Sequence, residues 1–168
     1  MSAPSYNGKT AVESSKENDS TCRISDNFWK DGHTMEKIVR INMTGRSFTH
    51  EPVAEKYTLF GGRGLIAKIL CEEVNPKCDP FGPENKLIFC PGLLGDTPAP
   101  CSGRLSIGGK SPLTGGIKEA NAGGTFAQKL VSIGMKALII EGKPADEEWS
   151  LVVLGDTSVE FLSAEKYL

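Results

Sequence analysis

Apolar residues in this chain recur at helical spacing in some stretches and in short runs typical of strands in others. After a glycine break at 61–64, apolar residues stand three and four positions apart, which predicts a helix from about Gly64 to Val74. A second helix is predicted around Phe126 to Ile133. Strand patterns outnumber these two helices.

Two short β-prone runs flank Thr44 and Gly45 in "MEKIVRINMTGRSFTHEPV", the pattern of a β-hairpin. "KLIFC" at 86–90 predicts a short buried strand, and "RLSIGGKS" predicts a strand with Leu105 and Ile107 on one face. "KALIIEGK", "WSLVVLGD" and "SVEFLS" predict three more strands. The order β-β-α-β-β-α-β-β-β is too rich in strands and too irregularly connected for a doubly wound sheet, so we expect the α+β class.

The first 34 residues are polar and mixed in charge, without an apolar period. Because such a segment cannot offset the entropy of ordering, we predict a disordered tail over 1–34. The rest of the 168 residues is enough for one domain with a real core, over 35–168. Met35 is the first residue of the part with apolar patterns. Translation could therefore start at Met1 or at Met35, and both alternatives stay open.

Composition excludes several function classes. A net charge of -2 with 24% charged residues gives no reason to expect binding to nucleic acid or to an anionic membrane. The chain has neither an apolar run of membrane-spanning length nor a signal-peptide pattern, so we expect a soluble, cytoplasmic protein. The five cysteines include no C-x-x-C pair, which argues against a disulfide framework and against a self-contained zinc or iron-sulfur site.

Two glycine patterns resemble nucleotide-binding motifs in an unsuitable context. "GRGLIA" at 62–67 fits the dinucleotide fingerprint, but the next strand ends on Cys90 and Pro91 without the acid that would hold a ribose. A helix-entry turn is the better interpretation, and a dinucleotide-binding domain the weaker one. "GGKS" at 108–111 resembles the end of a P-loop, but Arg104 occupies the place of its first glycine and Pro112 follows.

A third glycine cluster, "SPLTGGIKEANAGG" at 111–124, fits no simple motif. Its glycines predict sharp turns at 114–116 and 121–124 with backbone open to close approach. The second turn precedes the second predicted helix, so free amides and the positive end of the helix dipole would face a ligand there. With Arg104 as a candidate to reach the same place, this pattern favours an anionic or carbonyl-rich ligand. A plain loop with a surface arginine is the alternative.

Three stretches carry a family resemblance: "GGRGLIAKIL", "ENKLIFCPGLLGDTPAPCSGRLSIGGKSPLTGGIKEANAGGTFAQKL" and "KALIIEGK". In this order they resemble the N-terminal domain of the aldehyde ferredoxin oxidoreductase family, the tungsten-pterin enzymes, from about Met35 to Leu168. The resemblance implies an α+β domain of two small β-sheets with a few helices, on which tungstopterin (a bis-molybdopterin tungsten cofactor) lies. It implies that magnesium is held by the backbone carbonyl of Asn121, and that the cofactor is bound by Arg104, Asn121, Ala122, Gly123 and Gly124.

The resemblance also implies an activity, the oxidation of aldehydes to carboxylic acids with ferredoxin as electron acceptor. The family's [4Fe-4S] ligands and catalytic residues come from later domains, so we expect no catalytic residue here and no cluster ligand among Cys71, Cys78, Cys90 and Cys101. We therefore expect a domain truncated or split from the rest, needing further domains or a companion subunit. The alternatives are a non-catalytic remnant or cofactor-binding module, and a related reductase of other carbonyl or aromatic substrates.

Overall fold

A computed structural model of the chain describes residues 35–144 and 150–167. The predicted tail, 1–34, lies outside the described residues. Two α-helices are present in this part of the chain, α1 (Gly62–Glu73) and α2 (Phe126–Ser132), with short 3-10 turns at Glu55–Tyr57 and Glu165–Tyr167. The strands are β1 (Lys37–Asn42), β2 (Ser47–Pro52), β3 (Lys86–Pro91), β4 (Leu105–Lys110), β5 (Ile117–Ala122), β6 (Met135–Glu141), β7 (Ser150–Leu154) and β8 (Val159–Ser163).

The strands form two sheets. The larger has six strands in the order β2-β1-β6-β3-β4-β5, and the smaller is the β7-β8 pair. In the larger sheet only β1 and β6 run parallel, while every other neighbouring pair is antiparallel. The fold is therefore α+β with two sheets, as the sequence predicts.

Each face of the larger sheet has its own apolar core. On one face α1 buries an apolar stripe made by Leu65, Ile66, Ile69 and Leu70, which packs on residues such as Ile88. Full burial of an aliphatic side chain contributes about 1.5–3 kcal/mol, so this stripe is the main attachment of α1. The other face carries α2 and the β7-β8 pair, and its buried residues are Val39, Ile41, Leu105, Ala127, Leu130, Met135, Leu138 and Val159.

The last turn of α1 is tied to the sheet by charge. Arg40 on β1 donates hydrogen bonds to both carboxylate oxygens of Glu73, at 2.8 and 2.7 Å, and its Nε donates to Glu51 on β2 at 2.9 Å. Glu141 on β6 lies 3.6 Å from Arg40, and Lys86 on β3 pairs with both Glu73 and Glu141. We call these five side chains the Arg40 network.

The glycines of "GGKS" serve packing and not phosphate binding. Gly108 and Gly109 lie inside β4, where a P-loop would require a loop followed by a helix. A Cβ added at Gly108 would lie 2.7 Å from Ile66 Cγ2, and one at Gly109 would lie 2.6 Å from the carbonyl oxygen of Lys86. Glycine is therefore needed at 108 so that α1 can lie close to the sheet.

Most predicted elements are confirmed within two residues. The hairpin around Thr44 and Gly45 is β1-β2, and the two predicted helices are α1 and α2. The predicted element order is wrong in one respect, because β5 is missing from it. "IKEANA" has no alternating apolar residues, and it forms a strand through its pairing with β4. In the described residues, no helix combines the length and apolar character needed to cross a bilayer.

Candidate cofactor-binding site

The predicted site residues meet at one end of the larger sheet, where β3 and β5 end and β4 begins. Arg104 immediately precedes β4, and Asn121 is opposite Ser106 in the β4-β5 pair. Gly123 and Gly124 follow β5 and lead into α2. The fold therefore brings together the residues that the sequence separates by the "SPLTGG" turn.

Arg104 and Asn121 are in direct contact. The Nε of Arg104 donates a hydrogen bond of 2.6 Å to Oδ1 of Asn121, and both side chains are exposed. A Cβ added at Gly123 would lie 3.7 Å from Nη1 of Arg104, so the outer edge of the guanidinium faces the backbone of the glycine turn. Among the described residues, no hydrogen bond or ion pair uses the Nη groups of Arg104. These donors are available to an anion.

The amide of Asn121 makes two further contacts through Nδ2. It donates to Ser106 Oγ at 3.1 Å and to Glu119 Oε1 at 3.1 Å. Ser106 is buried, whereas Glu119 is half-buried. Hydrogen bonding to Ser106, and to a smaller extent to Asn121, lowers the pKa of Glu119 below its ordinary value. This carboxylate is therefore ionised at neutral pH.

The main-chain carbonyl of Asn121 is directed away from β4, toward the outer edge of β5. The backbone N–H of Gly92 bonds to the carbonyl of Arg104, and the N–H of Ser111 bonds to the carbonyl of Gly116. Because hydrogen-bonding direction alternates along an antiparallel strand, the Ser106–Asn121 pair is one whose backbone groups do not bond to each other. The carbonyl of Asn121 is thus directed to the outer edge of β5, the edge strand of the sheet formed by the described residues.

The backbone after β5 leaves room for a ligand. Gly124 has a φ of +107°, a conformation that L side chains rarely adopt, and a Cβ added there would have no atom within 4 Å. Glycine is needed at this position for backbone geometry, and it leaves open space in front of the main chain. The sequence prediction of a turn over 121–124 is wrong at its start: Asn121 and Ala122 belong to β5, and the turn begins at Gly123.

Sequence reasoning missed three neighbours of the site. Ser106 and Glu119 contact Asn121, and the first residue of α1, Gly62, lies against Ser106, since a Cβ added at Gly62 would be 3.3 Å from Ser106 Oγ. A signal for two of them exists in the sequence. The "TGG" turn makes the polar stretch after it return antiparallel to "RLSIGGK", which would have placed Glu119 and Asn121 beside Ser106.

One described cysteine, Cys90, lies beside the site, opposite Ser106 in the β3-β4 pair. Cys78 and Cys90 are buried, whereas Cys71 and Cys101 are exposed. Burial raises the pKa of the Cys90 thiol to about 12. Within 35–144 and 150–167, no group of three His, Cys, Asp or Glu side chains is placed to hold a metal ion.

Comparison with known families matches residues 38–168 to the model described as aldehyde ferredoxin oxidoreductase, N-terminal domain. The chain belongs to this family. A tungsten-containing aldehyde ferredoxin oxidoreductase of Pyrococcus abyssi is 45% identical over 132 residues, and the match covers 77% of the chain and 21% of that relative. The enzyme of the same name from Thermococcus kodakarensis is 43% identical over 130 residues, covering 76% and 21%.

A solved structure shows the same fold. The active-site complex BamBC of benzoyl coenzyme A reductase, in complex with 1,5-dienoyl-CoA, matches with a TM-score of 0.75 and 30% identity. That match covers 81% of this chain and 21% of the other. The chain therefore spans about a fifth of the length of the family members that it matches.

Proposed function

We propose that this chain is the part of a tungsten-pterin oxidoreductase on which the pterin cofactor and its phosphate rest. The observation that carries the proposal is the contact between Arg104 and Asn121, which aims the outer guanidinium donors at the open backbone of Gly123. Family membership supports it, because curated relatives are named tungsten-containing aldehyde ferredoxin oxidoreductases.

The residues present fit such a group. Two Nη groups without a partner among the described residues suit a phosphate, since guanidinium presents several N–H donors in one plane. In any other residue a Cβ would fill the open space at Gly124. A flat heterocycle could then no longer reach the main chain. The outward carbonyl of Asn121 is an oxygen ligand of the kind that magnesium prefers.

Each residue then has a defined role. Arg104 binds the phosphate, Asn121 orients Arg104 through its side chain and holds magnesium through its carbonyl, and the backbone of Ala122, Gly123 and Gly124 contacts the pterin. When bound, the tungsten-pterin group supplies the redox chemistry of aldehyde oxidation. Catalytic side chains and the [4Fe-4S] cluster come from further domains or a companion subunit, with ferredoxin as the electron acceptor.

A second candidate reaction is the reduction of an aromatic acyl thioester. The structural match to the benzoyl coenzyme A reductase complex favours it, with a TM-score of 0.75. Both candidates assign the same cofactor-binding role to this chain and differ in the substrate of the assembled enzyme. Assay of the purified complex with an aldehyde plus ferredoxin, and separately with a benzoyl thioester plus reductant, distinguishes them.

The proposal is tested by cofactor content. The Arg104→Ala variant, produced with its native companions in a host supplied with tungstate, should retain at most about a tenth of the wild-type tungsten and pterin, because a charge-assisted phosphate contact contributes about 1.5–3 kcal/mol. Tungsten is measured by mass spectrometry and pterin by the fluorescence of its oxidised form.

Lys129→Ala is the matched control, since Lys129 is an exposed cation on α2. It should retain wild-type cofactor content. Equal tungsten and pterin in wild type and Arg104→Ala would contradict the proposed role of Arg104.

A further inference from the structure

Asn121 is held between one group that can only donate hydrogen bonds and one that can only accept them. Arg104 Nε carries a hydrogen and no lone pair, so it must face Oδ1 of the amide. An ionised carboxylate has no hydrogen, so Glu119 must face Nδ2. The orientation of the Asn121 amide is therefore determined by the chemistry of its two neighbours.

Ser106 on β4 is the third side chain that contacts the Asn121 amide. It is 4% exposed, and its Oγ accepts the second hydrogen bond from Asn121 Nδ2. Ser106 cannot move away from Asn121 easily, because the first residue of α1, Gly62, lies against it. The two residues are also a closely spaced cross-strand pair, since pairs that do not exchange backbone hydrogen bonds bring their side chains nearer together.

We propose that Glu119, supported by Ser106, is a positioning residue that fixes the Asn121 amide and thereby directs the guanidinium of Arg104 toward the glycine turn. This inference rests on the proposed function, because it assigns a purpose to a carboxylate at the margin of a phosphate site. Glu119 is half-buried, and it belongs to neither of the two apolar cores. A carboxylate placed there only as a charge would repel the phosphate.

Two cations near Glu119, Arg63 in the first turn of α1 and the adjacent β5 residue Lys118, favour the ionised form of this carboxylate. They also offset its negative charge toward an approaching anion. Glu119 therefore keeps the hydrogen-bonding geometry of a carboxylate while its charge is compensated locally.

Two variants separate positioning from charge. In Glu119→Gln the side-chain oxygen can still accept from Asn121 Nδ2, but the charge is lost. In Glu119→Ala both the charge and the acceptor are lost. A positioning role predicts that these variants differ, whereas a role of charge alone predicts that they behave alike.

The first measurement needs no ligand. In the 15N-labelled full chain, solvent exchange of the Arg104 Nε–H is followed by NMR, with its signal assigned by its disappearance in Arg104→Ala. Glu119→Ala should raise the exchange rate about fivefold, because it loses the hydrogen bond from Asn121 to a charged group. Glu119→Gln keeps an acceptor for that bond and should stay within about twofold of wild type. Equal rates in wild type and both variants would overturn the proposal.

If Glu119→Ala does not fold, Ser106→Ala takes its place. It should also raise the exchange rate of the Arg104 Nε–H. Glu160→Ala, at an exposed glutamate on β8, is the matched control and should leave the rate unchanged.

The second measurement adds inorganic phosphate to the same samples. Positioning predicts that Glu119→Ala binds phosphate about fivefold more weakly than Glu119→Gln, since only the latter keeps the Asn121 acceptor. If both variants bind phosphate equally, and more tightly than wild type does, Glu119 acts through its charge alone and the proposal is overturned. If phosphate leaves the Arg104 signal of the wild type unchanged, the proposed phosphate contact fails, while the exchange comparison still decides whether Glu119 positions Asn121.

Discussion

Replacing Arg40 should weaken the attachment of α1 to the sheet. The guanidinium stands among three carboxylates, and its removal in Arg40→Met leaves Lys86 as the one cation of the Arg40 network beside Glu51, Glu73 and Glu141. Methionine fills much of the aliphatic volume of arginine, so the change isolates the loss of charge and hydrogen bonds. We expect a less stable but correctly folded chain.

The structure sets the size of the effect. Removing one partner of a fully buried ion pair costs about 3–5 kcal/mol, whereas exposed pairs contribute about 0–1 kcal/mol. The Arg40 side chain is 16% exposed, and its partners Glu51, Glu73 and Glu141 are 44%, 24% and 25% exposed. Because the network lies between these limits, we expect Arg40→Met to lower the free energy of unfolding by about 2 kcal/mol.

Urea unfolding followed by circular dichroism measures this difference at pH 7. Adding Glu73→Gln to Arg40→Met should recover about 1 kcal/mol, because it removes the carboxylate left without its main partner. Lys77→Met, at an exposed lysine in the loop after α1, is the control and should change stability by less than about 0.5 kcal/mol. A free energy of unfolding for Arg40→Met equal to that of wild type would refute this reasoning.

Two further predictions concern stability. Burial alone would raise the pKa of Glu73, but its interactions with Arg40 and Lys86 together outweigh burial and hold the pKa below its ordinary value of 4.5. The stability it contributes is therefore present above that pH and lost as pH falls through the folded pKa, so wild-type urea midpoints should drop below about pH 4.5 more steeply than those of Arg40→Met. Gly108→Ala should cost about 1–3 kcal/mol because its Cβ would meet Ile66, whereas Gly116→Ala, which meets only ordinary contacts, should change the urea midpoint little.

The elements that the sequence predicts well are those whose apolar residues face a core. The helical spacing in α1 and the short apolar run in β3 are each a signal within the element itself, and both elements are found where expected. β5 has no such signal, since its residues are mostly exposed and it lies at the edge of the sheet. Its conformation depends on pairing with β4, and that tertiary contact outweighs the weak strand propensity of "IKEANA".

The candidate site shows the same division. Arg104 and the glycines at 123 and 124 are recognisable by residue type, because few other residues supply a planar donor group or an open backbone. Glu119 and Ser106 resemble ordinary surface and strand residues in the sequence. Only the register of β4 against β5 brings both of them to the amide of Asn121.

A crystal structure of the tungsten-loaded native complex tests the central claim most directly. Anomalous scattering locates the metal, and the density around it locates the pterin phosphate. We predict a phosphate oxygen within hydrogen-bonding distance of the Nη groups of Arg104, with the pterin against Gly123 and Gly124. A phosphate bound elsewhere, with the glycine turn covered by another protein segment, would contradict the account.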